Sequence, residues 1–210
     1  NGRIATIGDK VNPKKDTVTV FGKKVIKVKK NTYIMLHKPR GFITTLSDEM
    51  GRKCVAQLVE DVGTRVYPVG RLDRNTTGVL LITNDGDLTT KLTHPKFNKK
   101  KIYQVTLDKD LQDEDFAKIL SGIVLEDGEV KADELSFVNE GDFRTVGLEI
   151  HSGKNRIVRR IFDALGYHVV KLDRVYFAGL TKKNLPRGKW RYLSEMEVTM
   201  LKMSASAFKG

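Results

Sequence analysis

The 210-residue chain predicts an α+β fold with a mainly antiparallel or mixed sheet. Short apolar runs closed by glycine or proline supply the strands, and a segment with opposed apolar and arginine faces supplies the clearest helix. The two kinds of element alternate without a regular βαβ rhythm. With 40% hydrophobic residues against 30% charged ones, the chain can bury a core, which a disordered basic tail cannot.

In chain order, residues 1–30 have their own character. Nine lysines and arginines stand there against two aspartates, and Val18, Val20 and Val25 fall among turn signals at Gly8-Asp9, Asn12-Pro13 and Phe21-Gly22-Lys23. Short strands joined by turns are expected. Thirty residues are too few for an independent core, so a small basic module beginning upstream is predicted over 1–30, and a second domain over 31–210.

In that second domain, Tyr33 to His37 reads as a buried strand closed by Lys38-Pro39-Arg40-Gly41. Val55, Leu58, Val59 and Val62 recur at helical spacing, giving a short helix that ends near Gly63. Val66 to Val69 and Val79 to Thr83 read as strands, joined by Gly70 to Gly78. Ile102 to Leu107 and Thr145 to His151 are further strands, and Asp113 to Leu120 a helix stopped at Gly122. After Asn155, a candidate N-cap, Ile157, Val158, Ile161, Phe162 and Leu165 share one helical arc, and Gly166 ends it. Ser194 and Glu197 make a capping box, with Leu193 and Val198 placed as a staple, for a last helix towards Met203.

The formal charge is +12, and it is uneven. Between Asp108 and Asp142, twelve acids face three lysines, a net −9, so the remainder carries +21. The basic blocks are Lys23 to Lys30, Lys96 with Lys99 to Lys101, Lys154 to Arg160, and Lys182 to Arg191. Such a field suits a polyanion, and nucleic acid before membrane. The acidic stretch is expected to face away from it.

Absences prune the chemistry. No apolar run approaches the roughly 18 residues of a membrane span, so no membrane partner is expected. The single cysteine, Cys54, can form no internal disulfide, which points to a reducing cytoplasm, and offers no thiolate zinc site. The four histidines lack metal-ligand spacing, and Gly70 to Gly78 is no Walker loop. Neither the His-x-Glu and Pro-Cys-x-x-Cys pair of zinc deaminases nor a serine nucleophile elbow is present. If the chain is an enzyme, it is expected to work without metal or cofactor.

The most informative segment is Gly70-Arg71-Leu72-Asp73-Arg74-Asn75-Thr76-Thr77-Gly78. A carboxylate flanked by two arginines between apolar strands is favoured in its charged form. Spacing alone leaves open a structural ion pair or an Asx turn.

Gly70-Arg71-Leu72-Asp73 followed by Thr76-Thr77-Gly78-Val79-Leu80-Leu81-Ile82-Thr83-Asn84-Asp85-Gly86 resembles the signature of the RsuA/RluB/RluE/RluF family of bacterial pseudouridine synthases. Further matches follow in the family's order: Lys38 to Gly41, Lys101 to Val105, Gly153 to Arg160, Leu172 to Arg174 and Gly188 to Leu193. Residues 1–11 are similar to the final strands of the alpha-L RNA-binding module that commonly precedes this domain.

The resemblance implies a pseudouridine synthase fold, with helices flanking the sheet and a cleft across it. It implies Asp73 as the essential carboxylate, attacking the anomeric carbon or removing the ribose 2′ proton. Arg159 matches the position that pairs with that aspartate, and Tyr103 the aromatic that stacks on an extruded uracil. Val158 and Leu80 are expected as pocket walls, and Arg71 as the group filling the space a flipped nucleotide leaves. Arg156, Arg160, Lys38, Lys99, Lys100 and Lys101 are expected to hold RNA.

A large-subunit (23S) ribosomal RNA enzyme of the RluB type, acting as a monomer, is the leading expectation. A small-subunit rRNA or tRNA target, or a non-catalytic RNA-binding or ribosome-assembly factor, stays open.

Overall fold

The computed structural model describes residues 1–12, 14–25 and 30–206. The turn expected at Pro13, and residues 26–29 of the first basic block, lie outside that range. The chain divides into two compact units, Asn1–Asn31 and Thr32–Gly210.

In the first unit, strands β1 (Thr19–Val20) and β2 (Lys23–Lys24) pair antiparallel. Phe21 and Gly22 between them both have positive φ, 50° and 74°, the backbone of a two-residue hairpin turn. Ile4, Ile7 and Phe21 are fully or almost fully exposed, so the unit has little apolar interior among its described residues.

The second unit is built on a nine-stranded mixed sheet. Its strands are β3 (Tyr33–Lys38), β4 (Tyr67–Pro68), β5 (Thr76–Thr83), β6 (Lys101–Leu107), β9 (Glu134–Phe137), β10 (Thr145–Ile150), β11 (Val169–Phe177), β12 (Leu180–Thr181) and β13 (Trp190–Tyr192). A separate hairpin, β7 (Ile123–Leu125) with β8 (Gly128–Val130), stands beside it. The main path is β13-β3-β5-β11-β6-β10-β9, and only β5 with β11 runs parallel. The mainly antiparallel mixed sheet is therefore as expected. The helices are α1 (Gly86–Thr93), α2 (Asp113–Ser121), α3 (Ile157–Ala164) and α4 (Glu195–Ser206).

Both faces of the central strands are covered. Met35, Val79 and Leu81 pack towards α1 and α4 with Leu88, Leu92 and Leu201, whereas Ile34, Leu36, Leu80 and Ile82 pack on the other side with Val55, Val59 and Val62. Double coverage explains why β5 reads as an unbroken apolar run and not as an alternating one. A third cluster joins β6, β10 and β11 to α3 through Val105, Leu148, Ile161 and Phe162.

Local expectations differ at three places. Residues 55–62 form two 3₁₀ turns, Val55–Leu58 and Glu60–Val62, and not one α-helix. The segment is short, rich in β-branched valine and stopped by Gly63 at φ 78°, so the tighter i→i+3 bonds prevail. The cap of α3 is Arg156 at φ 52°, not Asn155. Helix α1 and strands β9 and β11 carry no clear periodic signal, and two register shifts interrupt β11 against β6. The capping box of α4 forms as expected: Glu197 N–H donates to Ser194 Oγ at 3.1 Å and Ser194 N–H to Glu197 Oε1 at 2.9 Å.

Candidate active site

Asp73 lies on the loop entering β5, next to the parallel junction with β11. This loop is held from several sides. Thr44 Oγ1 donates to Leu72 O at 2.7 Å and accepts from Leu72 N–H at 3.1 Å. Gly41 N–H donates to Arg74 O at 2.7 Å. Beneath it, the fully buried Lys38 ammonium donates to Thr76 O at 2.7 Å, Asp73 O at 3.0 Å and Pro39 O at 3.2 Å. Burial pushes the Lys38 ammonium down to about 8, with the Asp73 charge opposing. A cation that gathers backbone carbonyls fixes the direction in which the Asp73 side chain leaves the chain.

That side chain enters a cleft of about 560 Å³, within the range of small-molecule and nucleotide-sized sites. Val69, Leu72, Leu172 and Phe177 give it apolar walls. Arg71, Arg74, Lys101, Lys154, Arg156 and Arg174 also line it, and among the described residues Asp73 is its sole carboxylate. Asp73 Oδ2 accepts from Arg156 Nη1 at 2.9 Å, and Arg159 Nε stands 3.8 Å away. Arg159 Nη2 instead reaches Asn75 O at 3.3 Å and Thr76 Oγ1 at 3.4 Å. Burial lowers the Arg159 guanidinium from its ordinary value, aided by the Arg156 charge and opposed by that of Asp73.

Tyr103, on β6, is nearly buried and lines the same cleft. In register opposite it stands Arg174 of β11, whose Nε and Nη2 donate to Val79 O at 2.9 and 2.7 Å. Burial lowers the Arg174 guanidinium, and the Tyr103 hydroxyl opposes this. Arg174 is a cleft residue that reading the sequence missed. It stands inside a quoted motif, but a strand arginine carries no signal of which face it serves.

The structure thus brings Asp73, Arg159, Tyr103, Arg71, Val158, Arg156 and Lys101 together at or beside one cleft. Two other expectations, Leu80 and Lys38, need correction. Leu80 is wholly buried in the cluster beneath β3 and β5 and is no pocket wall, because its face of β5 points to the 3₁₀ turns. Lys38 is structural, as described above. Lys99 Nζ donates to Ser204 O at 2.7 Å, Lys101 Nζ to Lys99 O and His151 O at 3.1 Å each, and the half-exposed Lys100 pairs with Glu149 at 3.2 Å. Arg160 forms a partly exposed ion pair with Asp127. The closest ion pair of Asp73 is with Arg156, where Arg159 was expected.

Comparison with known proteins agrees with this architecture. Residues 32–164 match the family described as RNA pseudouridylate synthase. A ribosomal large subunit pseudouridine synthase B of Bacillus subtilis (strain 168) is 39% identical over 209 residues, covering 98% of this chain and 85% of that protein. An RNA pseudouridine synthase of Aquifex aeolicus (strain VF5) is 37% identical over 96% of this chain and 82% of its own length. A crystal structure of a pseudouridylate synthase superposes with a TM-score of 0.75 at 30% identity, over 85% of this chain and 76% of that one. A cleft that offers one carboxylate among six cations, on this sheet and with these relatives, places the chain in the RNA pseudouridine synthase family, as an isomerase.

Proposed function

We propose that the chain converts a specific uridine of large-subunit ribosomal RNA to pseudouridine, with Asp73 as the essential carboxylate. The observation that carries this reading is the position of Asp73 as the sole acid, among the described residues, in a basic cleft. The similarity to a large-subunit enzyme over 98% of this chain supports the choice of RNA.

In the reaction the bond from ribose C1′ to uracil N1 breaks, the base turns, C1′ bonds to C5, and the proton that C5 then loses is balanced by the one that N1 gains. Substrate and product are isomers, so the step consumes no oxidant and no external energy. Asp73 either attacks C1′ and is displaced when C5 bonds there, or removes the 2′ proton and later returns it, and both roles need a carboxylate beside an oxocarbenium-like centre. Tyr103 stacks on the extruded base, and its hydroxyl helps to move the C5 proton. Extruding the uridine costs a few kcal/mol, offset by phosphate contacts of Arg71, Arg74 and Lys101. The first thirty residues also bind RNA, and the enzyme acts in the cytoplasm as a monomer.

Transcripts of large-subunit rRNA, small-subunit rRNA and tRNA, each incubated with the purified chain, test the reading. Pseudouridine is expected in the large-subunit transcript, and Asp73→Asn is expected to bind that RNA while forming none. Product only in another transcript would reassign the target, and full turnover by Asp73→Asn would remove Asp73 from the chemistry.

A further inference from the structure

The two arginines at Asp73 are used in an unexpected order. Arg156 holds the short bond although its side chain is 51% exposed, while Arg159, only 11% exposed, stands 3.8 Å away through Nε. That Nε is buried and has no hydrogen-bond acceptor. The other Arg159 contacts are long, 3.3 to 3.5 Å, and go to Val169 O, Asn75 O and Thr76 Oγ1. Arg156 also sits at φ 52°, a backbone region that favours glycine or asparagine over a long side chain. A buried donor without an acceptor is unfavourable, whereas an exposed ion pair contributes little. The pairing seen is therefore easy to exchange.

We infer that Arg156 is a resting partner of Asp73 that passes to an RNA phosphate when substrate enters, whereupon Asp73 turns to the waiting Nε of Arg159. This rests on the reading of Asp73 as the reacting carboxylate. A guanidinium binds phosphate through a two-pronged contact at least as well as it binds a carboxylate, so a phosphate at the mouth of the cleft competes directly for Arg156. The carboxylate then needs to move only about 1 Å to reach hydrogen-bond distance from Arg159. Phosphate recognition is thereby coupled to the orientation of the acid. The substrate class follows: uridine within a phosphodiester chain triggers the exchange, and the free nucleoside does not. Arg156 is a positioning residue in this scheme, and Arg159 orients the acid during turnover.

The exchange is visible in the ¹⁵N–¹H signals of arginine Nε–H groups in the intact protein, with Arg159→Lys identifying the Arg159 signal. Arg156→Gly suits the positive φ and removes the resting partner. In that variant, without RNA, the Arg159 Nε–H signal is expected to shift downfield and to exchange more slowly with water than in the wild type. A signal that coincides with the wild-type one would overturn the inference.

Kinetics on the large-subunit rRNA transcript give the second readout. Arg156→Gly is expected to raise KM on the order of tenfold, the loss of one charge-assisted contact, with kcat within a few-fold of wild type. Arg159→Lys is expected to lose kcat. Equal losses of kcat in both variants would also contradict the exchange. A wild-type protein inactive on every transcript would remove the proposed reaction and leave the spectroscopic result to decide the pairing.

Discussion

At the scale of single residues, Asp73 owes its place to groups beneath and beside its loop. Lys38 sits under the loop with its Nζ on the carbonyls of Pro39, Asp73 and Thr76. Lys38→Met would leave those buried carbonyls without their donor, so a loss of roughly 3–5 kcal/mol is expected. Chemical denaturation reads this as a lower midpoint with an unchanged slope; a loss under about 1 kcal/mol would make Lys38 an ordinary surface cation. Asp73 was legible because its flanking residues form a long ordered pattern. The role of Lys38 was not. Its partners are backbone carbonyls from positions 39 to 76, and a lysine in a Lys-Pro-Arg-Gly run looks like any solvated charge. The choice of Arg156 over Arg159 was equally hidden, since it depends on an αL backbone angle at Arg156.

At the scale of elements, the junction of β5 with β11 decides where the cleft opens. Gly78, at φ 116°, faces Arg174 across the parallel pair, and a Cβ there would lie 2.1 Å from Arg174 O and 2.7 Å from Asp173 Oδ1. Gly78→Ala is expected to separate the two strands and cost at least about 3 kcal/mol, from strain and lost pairing together. A thermal midpoint within about 2 °C of wild type would show that the junction can yield.

Strands with one clear pattern, such as β3, β5 and β6, were readable as apolar runs. Strand β11 was not, because its register shifts break the two-residue period. Helix α1 was hidden behind Asn84-Asp85-Gly86, which reads as a turn, although Asp85 caps the helix by accepting from Leu88 N–H at 3.0 Å. The α3 pattern was strong enough to place its buried face correctly, with Ile157, Val158, Ile161 and Phe162 all inward.

At the scale of the whole molecule, the +12 total divides into cations that serve the fold and cations that face the cleft. Lys182 is paired with Asp173, and Arg191 with Glu197. Arg71 and Arg74 line the cleft with no carboxylate in ion-pairing distance among the described residues. Some acids of the stretch are paired with residues of the basic blocks. Asp127 lies against Arg160 and accepts from Lys154 through its carbonyl, and Asp133 contacts His151 in a separate hollow that shares Lys101 and Lys154 with the cleft. Charge counts along a sequence cannot show such pairing, because it is made by contacts between distant segments.

Lys101 gives this division a pH signature. Burial, helped by the Arg174 charge, pushes its ammonium down to about 8. Below that value the folded chain carries the charge in the cleft; above it the folded chain has released a proton that an unfolded lysine keeps up to its ordinary range. Lys101 therefore favours folding more as pH rises from 8, and RNA binding less. Affinity for the large-subunit transcript is expected to fall several-fold between pH 7 and pH 9 at fixed salt, with a smaller fall in Lys101→Met. Equal falls in the two proteins would exclude Lys101 as the source.

The most direct test of the proposed reaction is a pseudouridine map of ribosomal RNA from cells lacking the gene, restored with either the wild-type chain or Asp73→Asn. One large-subunit position is expected to lose its pseudouridine, to regain it with the wild-type chain, and to stay unmodified with Asp73→Asn. An unchanged map without the gene, or full restoration by Asp73→Asn, would contradict the assignment.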